Sequence, residues 1–353
     1  MNETKKNARS RAGIIYSVFL LLLAGMLFVP LPYYLYQPGT VEKIANYVKV
    51  ENGAPSKDGS FSLTTVFSSK VGNTFTLLYG LLAPDTEVRK AAKVRGNLTD
   101  AQYKALLEHM MKRSQNSAVA AALEASGKQV PVKYTGIFVQ SIYAGSKAEG
   151  IIFPGDIIIE ADGQSVTKLD DMLAMLDAGK KPGDTIKLGV LRDDQQLELA
   201  VELYGLAGSD PLSSKAYPRI GLVTEDQFQI TPPVKVEFTV SDIGGPSAGL
   251  MFALEIADQL DPAELTHGLT IAGTGTIDAS GKVGQIGGIR DKIIAADRAG
   301  VDLFFSPADA NPNDSNEKDI LDEAKKREYD ITIVPVRTLD EALEYLENLD
   351  STA

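Results

Sequence analysis

The feature that most constrains this chain is an uncharged run of twenty residues near its start, GIIYSVFLLLLAGMLFVPLP from Gly13 to Pro32. As a helix it spans a hydrocarbon core of about 30 Å. Lys5, Lys6, Arg9 and Arg11 precede it, and Tyr33, Tyr34 and Tyr36 follow as interfacial aromatics. With Glu3 counted, the segment before the run carries about +3 and everything after it about −15, within a formal net charge of −12. By the positive-inside rule, residues 1–12 are a cytoplasmic basic segment, 13–33 a single-pass transmembrane anchor, and the bulk of the chain is extracellular at the cell membrane. The competing reading is a cleaved signal peptide. Its basic region fits, but no small-x-small cleavage site follows the apolar core cleanly.

Composition removes whole classes of chemistry. The chain has no cysteine, which excludes disulfides, thiolate zinc sites and a cysteine nucleophile. Its two histidines, His109 and His267, are far apart and outside any H-E-x-x-H setting, so no metal is expected. The negative charge, with no basic stripe, argues against a nucleic-acid partner. At 44% hydrophobic residues, 353 residues suffice for two or three compact cores.

After the anchor, residues 37–130 form an N-terminal extracytoplasmic region. Within it a Gly-, Ser- and Asp-rich turn over 52–60 precedes the alternating run FSLTTV, Phe61 to Val66, which predicts a strand. Leu98 to Ala125 carries apolar residues at helical spacing, with Thr99 and Asp100 at its start and Gly127 beyond its end, as one long helix or two short ones.

From 131 to 205 the pattern changes to short strands divided by Gly-rich turns and one helical segment, KLDDMLAMLDAG. This order resembles a PDZ domain, on the strength of FPGDIIIEADGQSV (Phe153 to Val166) and the loop Tyr134-Thr135-Gly136-Ile137. The resemblance implies a carboxylate-binding turn at Thr135, Gly136 and Ile137. Its groove for polypeptide would run along Ile137 to Ile142, Val139 included, opposite a helix carrying Leu169, Met172, Leu173 and Leu176. Thr135 replaces the usual first glycine, which leaves open an internal peptide segment or pairing with the chain's own C-terminal part. The plain alternative is that these apolar residues are only the core of a small domain.

Residues 215–349 carry the chemistry. The phrase VEFTVSDIGGPSAGLMFALEIADQL sets a strand, the Gly244-Gly245 turn, Pro246, and Ser247 at the start of an apolar helix. Proline suits a first helical turn. Free N–H groups there, around Gly245 and Ala248, are suited to an oxyanion formed when Ser247 attacks a carbonyl. By residues alone, Ser247 as a mere cap is an equal reading. Asp242 reads as a turn residue in preference to a third catalytic member, and His267 as a solvent-facing loop residue.

Two further phrases, TGTIDASGKV with IGGIRDK between Ile271 and Ala310, and DITIVPVRTLDEALEYL from Asp330 to Leu346, resemble the proteolytic domain of the Lon protease family. The likeness runs from Val234 to Leu349. In that family the serine of P-S-A-G is the nucleophile and the second basic residue of G-G-x-K/R-x-K its base. The resemblance therefore implies a Ser247–Lys292 dyad, with Thr274 matching a threonine that helps orient the lysine. FSLTTV and the stretch Met111 to Gly127 loosely resemble the first strand and helix of the same domain, which would make the PDZ unit an insertion. Lon-type domains often form rings, so a homo-oligomer is left open.

A lysine can act as the base only when neutral, and with an ordinary pKa near 10.4 only about one in a few thousand is neutral at pH 7, so burial must supply about 4 kcal/mol. Lys292 is followed by Ile293, Ile294, Ala295 and Ala296 at a helix start, which suits that demand. Its competitors do not: Arg290 stays protonated, and Lys282 sits in an expected hairpin turn. No G-x-x-x-x-G-K-[ST] stands in these residues, and no cofactor is expected.

The expected fold is α+β: an N-terminal transmembrane helix, a PDZ-like β-rich domain and a Lon-type α/β proteolytic domain. The whole resembles the PDZ-containing, membrane-anchored Lon-like serine proteases of Gram-positive bacteria. That resemblance implies an ATP-independent endopeptidase cleaving exported peptides or small, flexible membrane-associated proteins. The alternatives are a non-catalytic PDZ adaptor at the membrane, or a latent protease gated by its PDZ domain.

Overall fold

The computed structural model describes residues 2–96, 98–192, 195–207, 216–239 and 243–350, with side chains described from residue 14 onward, Leu22, Ala207 and Asp350 excepted. Residues 2–28 form helix α1 (Asn2–Phe28). There follow β1 (Tyr33–Lys43), β2 (Val48–Val50), β3 (Ser60–Lys70), α2 (Thr74–Leu82), β4 (Glu87–Lys90), α3 (Ala91–Arg95) and α4 (Asp100–Ala125). Next come β5 (Val132–Ile142), β6 (Ile157–Ala161), β7 (Gln164–Ser165), α5 (Leu169–Gly179), β8 (Thr185–Arg192), β9 (Gln195–Glu202), β10 (Tyr204–Ala207), β11 (Ala216–Arg219) and β12 (Leu222–Ile230). The chain finishes with β13 (Val236–Phe238), α6 (Gly249–Leu260), β14 (Thr270–Gly273), β15 (Thr276–Ile277), β16 (Val283–Gly284), α7 (Ile289–Arg298), β17 (Leu303–Pro307), α8 (Asn316–Arg327), β18 (Thr332–Val336) and α9 (Leu339–Asp350).

Among the described residues, no helix is long and apolar enough to cross a membrane. The side chains of the basic segment 1–12, and of Gly13 and Leu22 in the expected span, lie outside that description. Those of α1 that are described include Ile14, Phe19, Leu21 and Phe28, all more than half exposed.

Two sheets organise the rest. One runs β18-β17-β14-β3-β1-β4 and so combines strands from both ends of the chain. Its joint is the parallel pair of β14 with β3, from Thr270 opposite Ser60 to Gly273 opposite Leu63. The period of two along its strands feeds two cores. Leu303 and Phe305 of β17 and Ile271 of β14 pack with α4 and α6, whereas Phe304 and Ala272 pack with Ile289 and Ile293 of α7 and Ile320 of α8. Parallel strands covered on both faces read as the nearly continuous apolar runs seen in LFFSP.

Helix α4 is one long helix. Thr99 and Gln102 make a reciprocal capping box at its start. Its C-terminal half, Ala118 to Leu123, is buried, and the small side chains there let α6 pack closely. Helix α6 is buried on every side from Gly249 to Gln259, which explains the apolar run Leu250 to Leu254; its polar residues Glu255, Asp258 and Gln259 are buried with hydrogen-bond partners.

The second sheet, β12-β5-β6-β8-β9, is formed by the chain between β3 and β14, with α5 beside it. Its core gathers Ile137, Val139, Ile158, Met172, Leu176 and Leu188. Strand β12 lies within the range that the sequence assigns to the proteolytic unit, yet it pairs along nearly the whole of β5, from Leu222 opposite Ile142 to Ile230 opposite Val132.

Candidate active site

The loop into α6 places the serine. Gly245 holds φ at 89°, a backbone conformation open to glycine at no steric cost, and its N–H donates to the Leu107 carbonyl of α4 at 3.1 Å. Ser114 Oγ, two turns further along the same face of α4, donates to the Pro246 carbonyl at 3.0 Å. Below the turn, the Ser247 carbonyl accepts from Gly275 N–H at 2.8 Å and from Thr274 Oγ1 at 2.9 Å. Four contacts from two other segments thus fix the backbone on both sides of Ser247, and its hydroxyl is left to face the groove.

Lys292 comes from the first turn of α7, behind Gly288 in left-handed conformation. Its Nζ donates to the Thr64 carbonyl of β3 at 2.7 Å and to Ser247 Oγ at 3.1 Å. The side chain is 3% exposed, and burial pushes its pKa down to about 7. A group at that value is half neutral at neutral pH, where it can take a proton from a hydroxyl. The two competing basic residues point elsewhere. Arg290 is exposed and pairs with Asp319 at 2.9 Å, and Lys282 is exposed in the β15–β16 hairpin.

A groove of about 680 Å³ opens over the pair, walled by Tyr36, Thr40, Val66, Phe67, Leu107 and Met111. Among the described residues, the backbone N–H groups of Ser247 and Ala248 bond to no protein group, so both are donors available to an oxyanion. Gly245, expected in the same role, has given its N–H to Leu107.

Thr274 is fully buried, and its hydroxyl meets the serine's own carbonyl. It is bonded to the Ser247 backbone and not to the lysine; the polar anchor of the lysine is the Thr64 carbonyl, a backbone atom that carries no side-chain signature. Asp242 lies outside the described residues. His267 is exposed in a loop, and His109 stacks on Phe138 with ring centroids 4.1 Å apart.

The groove expected along β5 is a different arrangement. Ile137 and Val139 are fully buried, Gly136 is opposite Gln227, and Thr135 Oγ1 donates to the Gln227 carbonyl at 3.4 Å. β12 bonds along nearly the whole of one edge of β5, and on the other side β6 and the turn before it bond to Ile137, Phe138 and Val139, so the part of β5 expected to face a peptide is already paired on both sides. The sheet's edge strands are β12 and β9, and of these β12 is the one that lies beside α5. Leu169, at the start of α5, donates its N–H to Asp226 Oδ1 at 2.7 Å, and Met172 is buried beneath the helix.

At the head of β12, Gly221 holds φ at 87° after Arg219, whose guanidinium pairs with Asp177 of α5 at 2.5 Å. The phrase Ile220-Gly221-Leu222-Val223, a glycine turn entering a strand, is the signal that could have located this edge.

A family model of the PDZ domain matches residues 114–203, and one of the Lon protease (S16) C-terminal proteolytic domain matches residues 238–348. A Lon protease of Metamycoplasma arthritidis is 38% identical over 102 residues, 29% of this chain and 11% of the relative. A Lon protease of Neorickettsia sennetsu is 27% identical over 240 residues, 67% of this chain and 27% of the relative. The chain thus spans no more than 27% of the length of these two relatives. Among solved structures, the PDZ domain of an SdrC-like protein from Listeria monocytogenes is 26% identical, covering 27% of this chain and 92% of its own, with a TM-score of 0.23.

Proposed function

We propose that this chain, which joins a PDZ domain to a serine-peptidase domain of Lon type, is an ATP-independent endopeptidase working through Ser247 and Lys292. The observation that carries the reading is the 3.1 Å contact between Ser247 Oγ and the Nζ of a lysine removed from water. Neutral Lys292 takes the Ser247 proton as Oγ attacks the peptide carbonyl, and the Ala248 N–H faces the oxygen on which charge develops. The ammonium then returns its proton to the departing amine. A water, activated by the same lysine, releases the acyl group from Ser247.

ATP-independence rests on the lack of a phosphate-binding motif within these residues, which favours substrates that are already extended or flexible. The outward location and the anchor rest on the charge asymmetry across Gly13 to Pro32 and on the exposed apolar side chains of α1. The PDZ unit, extended to include β12, sits inside the proteolytic domain, and its polypeptide site runs along the β12 edge beside α5.

The test incubates the full-length protein with a peptide mixture and compares wild type, Ser247→Ala and Lys292→Ala by mass spectrometry. Loss of all wild-type cleavage products in both variants is expected. Equal cleavage by both variants would remove the dyad. No cleavage by wild type would favour the adaptor reading.

A further inference from the structure

Helix α2 is built inside out. Phe75, Leu78, Tyr79 and Leu82, at the spacing i, i+3, i+4, i+7, form one face, and they are 48%, 48%, 57% and 83% exposed. Leu81 beside them is 63% exposed. The face turned to the protein carries Gly80, where a Cβ would come within 2.3 Å of Leu35. An amphipathic helix on a globular body normally buries its large apolar side chains and presents polar ones to water. Here the large apolar face points away from the body, in a patch of the kind that marks a contact surface.

Its surroundings say which contact. Helices α1 and α2 touch, and the end of α1 is stitched to the strand before α2: Leu31 N–H donates to the Val71 carbonyl at 3.1 Å and Val71 N–H to the Tyr33 carbonyl at 2.9 Å. Met26, Leu27, Phe28 and Val29 are exposed at that end and continue the patch. Ala91 N–H donates to the Pro32 carbonyl, which sets α3 at the same level, with Lys90 and Lys93 exposed there in a chain whose net charge is −12. Large apolar side chains edged by lysines match a bilayer of anionic phospholipid, with leucines among the acyl chains, tyrosine at the boundary and ammonium groups at the phosphates.

We infer that α2 lies embedded in the lipid interface beside the outer end of α1, and that it holds the catalytic groove, through Phe67 and Tyr36, against the bilayer. The inference rests on the anchor proposed above. It commits to lipid over a second copy of the chain because the exposed face is continuous with α1 and bordered by cations.

The chain has no tryptophan, so single substitutions give single reporters. Full-length Leu82→Trp, Phe75→Trp, Phe19→Trp in α1, and Leu321→Trp on α8 are each placed in vesicles of phosphatidylcholine and phosphatidylglycerol, with and without brominated acyl chains. Emission from Leu82→Trp and Phe75→Trp is expected to shift to the blue and to be quenched by the brominated lipid, while that of Leu321→Trp is unaffected. Quenching of Phe19→Trp without quenching of the two α2 reporters overturns the inference and leaves the anchor standing. No quenching at any of the three positions overturns both. A blue shift that grows with protein concentration, without quenching, assigns the face to a second copy and also overturns the inference.

Discussion

Lys292 and Glu255 are both ionisable side chains sealed in the proteolytic core, 3% and 1% exposed, and desolvation pushes both to a pKa of about 7. Their surroundings separate them. Glu255 accepts from Gln259 Nε2 at 2.7 Å, and Gln259 in turn donates to the Val48 carbonyl at 3.0 Å and accepts from Val50 N–H at 2.8 Å, so the pair ties β2 to α6. Its network is closed. Lys292 has one backbone partner, one serine hydroxyl and a groove above it. Burial makes a group neutral; only access to a reacting atom makes it a base. A perturbed pKa by itself would rank the two alike.

The two residues should differ most in how they affect the pH dependence of cleavage. Only neutral Lys292 can take the serine proton, so kcat/KM for an uncharged peptide should fall about tenfold per pH unit below about 7 and level off above it. Glu255→Gln should leave that profile in place. A profile flat from pH 5 to 8 would contradict the role of Lys292, and a profile shifted by Glu255→Gln would make Glu255 part of the site.

Stability gives the next largest effect, with opposite signs at the two positions. The pKa of Lys292 is lowered on folding from 10.5, so between about 7 and 10.5 the unfolded chain binds more protons and stability rises with pH. Below about 7 the full cost, about 5 kcal/mol, applies. Lys292→Met should therefore be inactive yet more stable than wild type at pH 6, with the gain vanishing toward pH 10.5. Chemical denaturation across that range measures it.

The pKa of Glu255 is raised on folding from 4.5, so its protonated form contributes fully below 4.5, and that contribution is lost as pH rises through about 7. Glu255→Gln keeps an oxygen for Gln259 and removes the cost of ionisation. It should gain up to about 3 kcal/mol at pH 8 and almost nothing at pH 4.5. If Glu255→Gln is instead less stable at pH 8, the carboxylate has an ionic partner that the closed network does not provide.

Sequence made the serine and the lysine legible because each stands in a local phrase whose function depends on neighbours in the chain: a glycine turn before Ser247 and an apolar run after Lys292. Helix α4 was legible through its cap and spacing. What stayed hidden is made of backbone atoms and distant pairings. The Thr64 and Leu107 carbonyls act without their side chains, so no residue type advertises them. Within residues 131–205 the expected peptide edge falls on β5, and the strand that covers β5 arrives only at Leu222. Two consecutive residues of α4, Arg113 on Glu225 and the Asp226 carbonyl and Ser114 on the Pro246 carbonyl, link that strand to the serine turn. No linear motif could show that link.

Thr274 carries the smallest effect and the finest distinction. The family likeness casts it as an aid to the lysine, whereas its hydroxyl is bonded to the Ser247 carbonyl beside the N–H of Gly275. Thr274→Val keeps the shape and removes one of those two donors, which should cost about 1 kcal/mol in positioning the nucleophile. That cost corresponds to about a fivefold lower kcat with KM unchanged. Because the bond does not reach Lys292, the midpoint of the pH profile should stay at about 7. A midpoint that moves upward in Thr274→Val would mean that the threonine sets the charge of the lysine after all, and the comparison with Glu255 would then have to include a polar partner on the catalytic side as well.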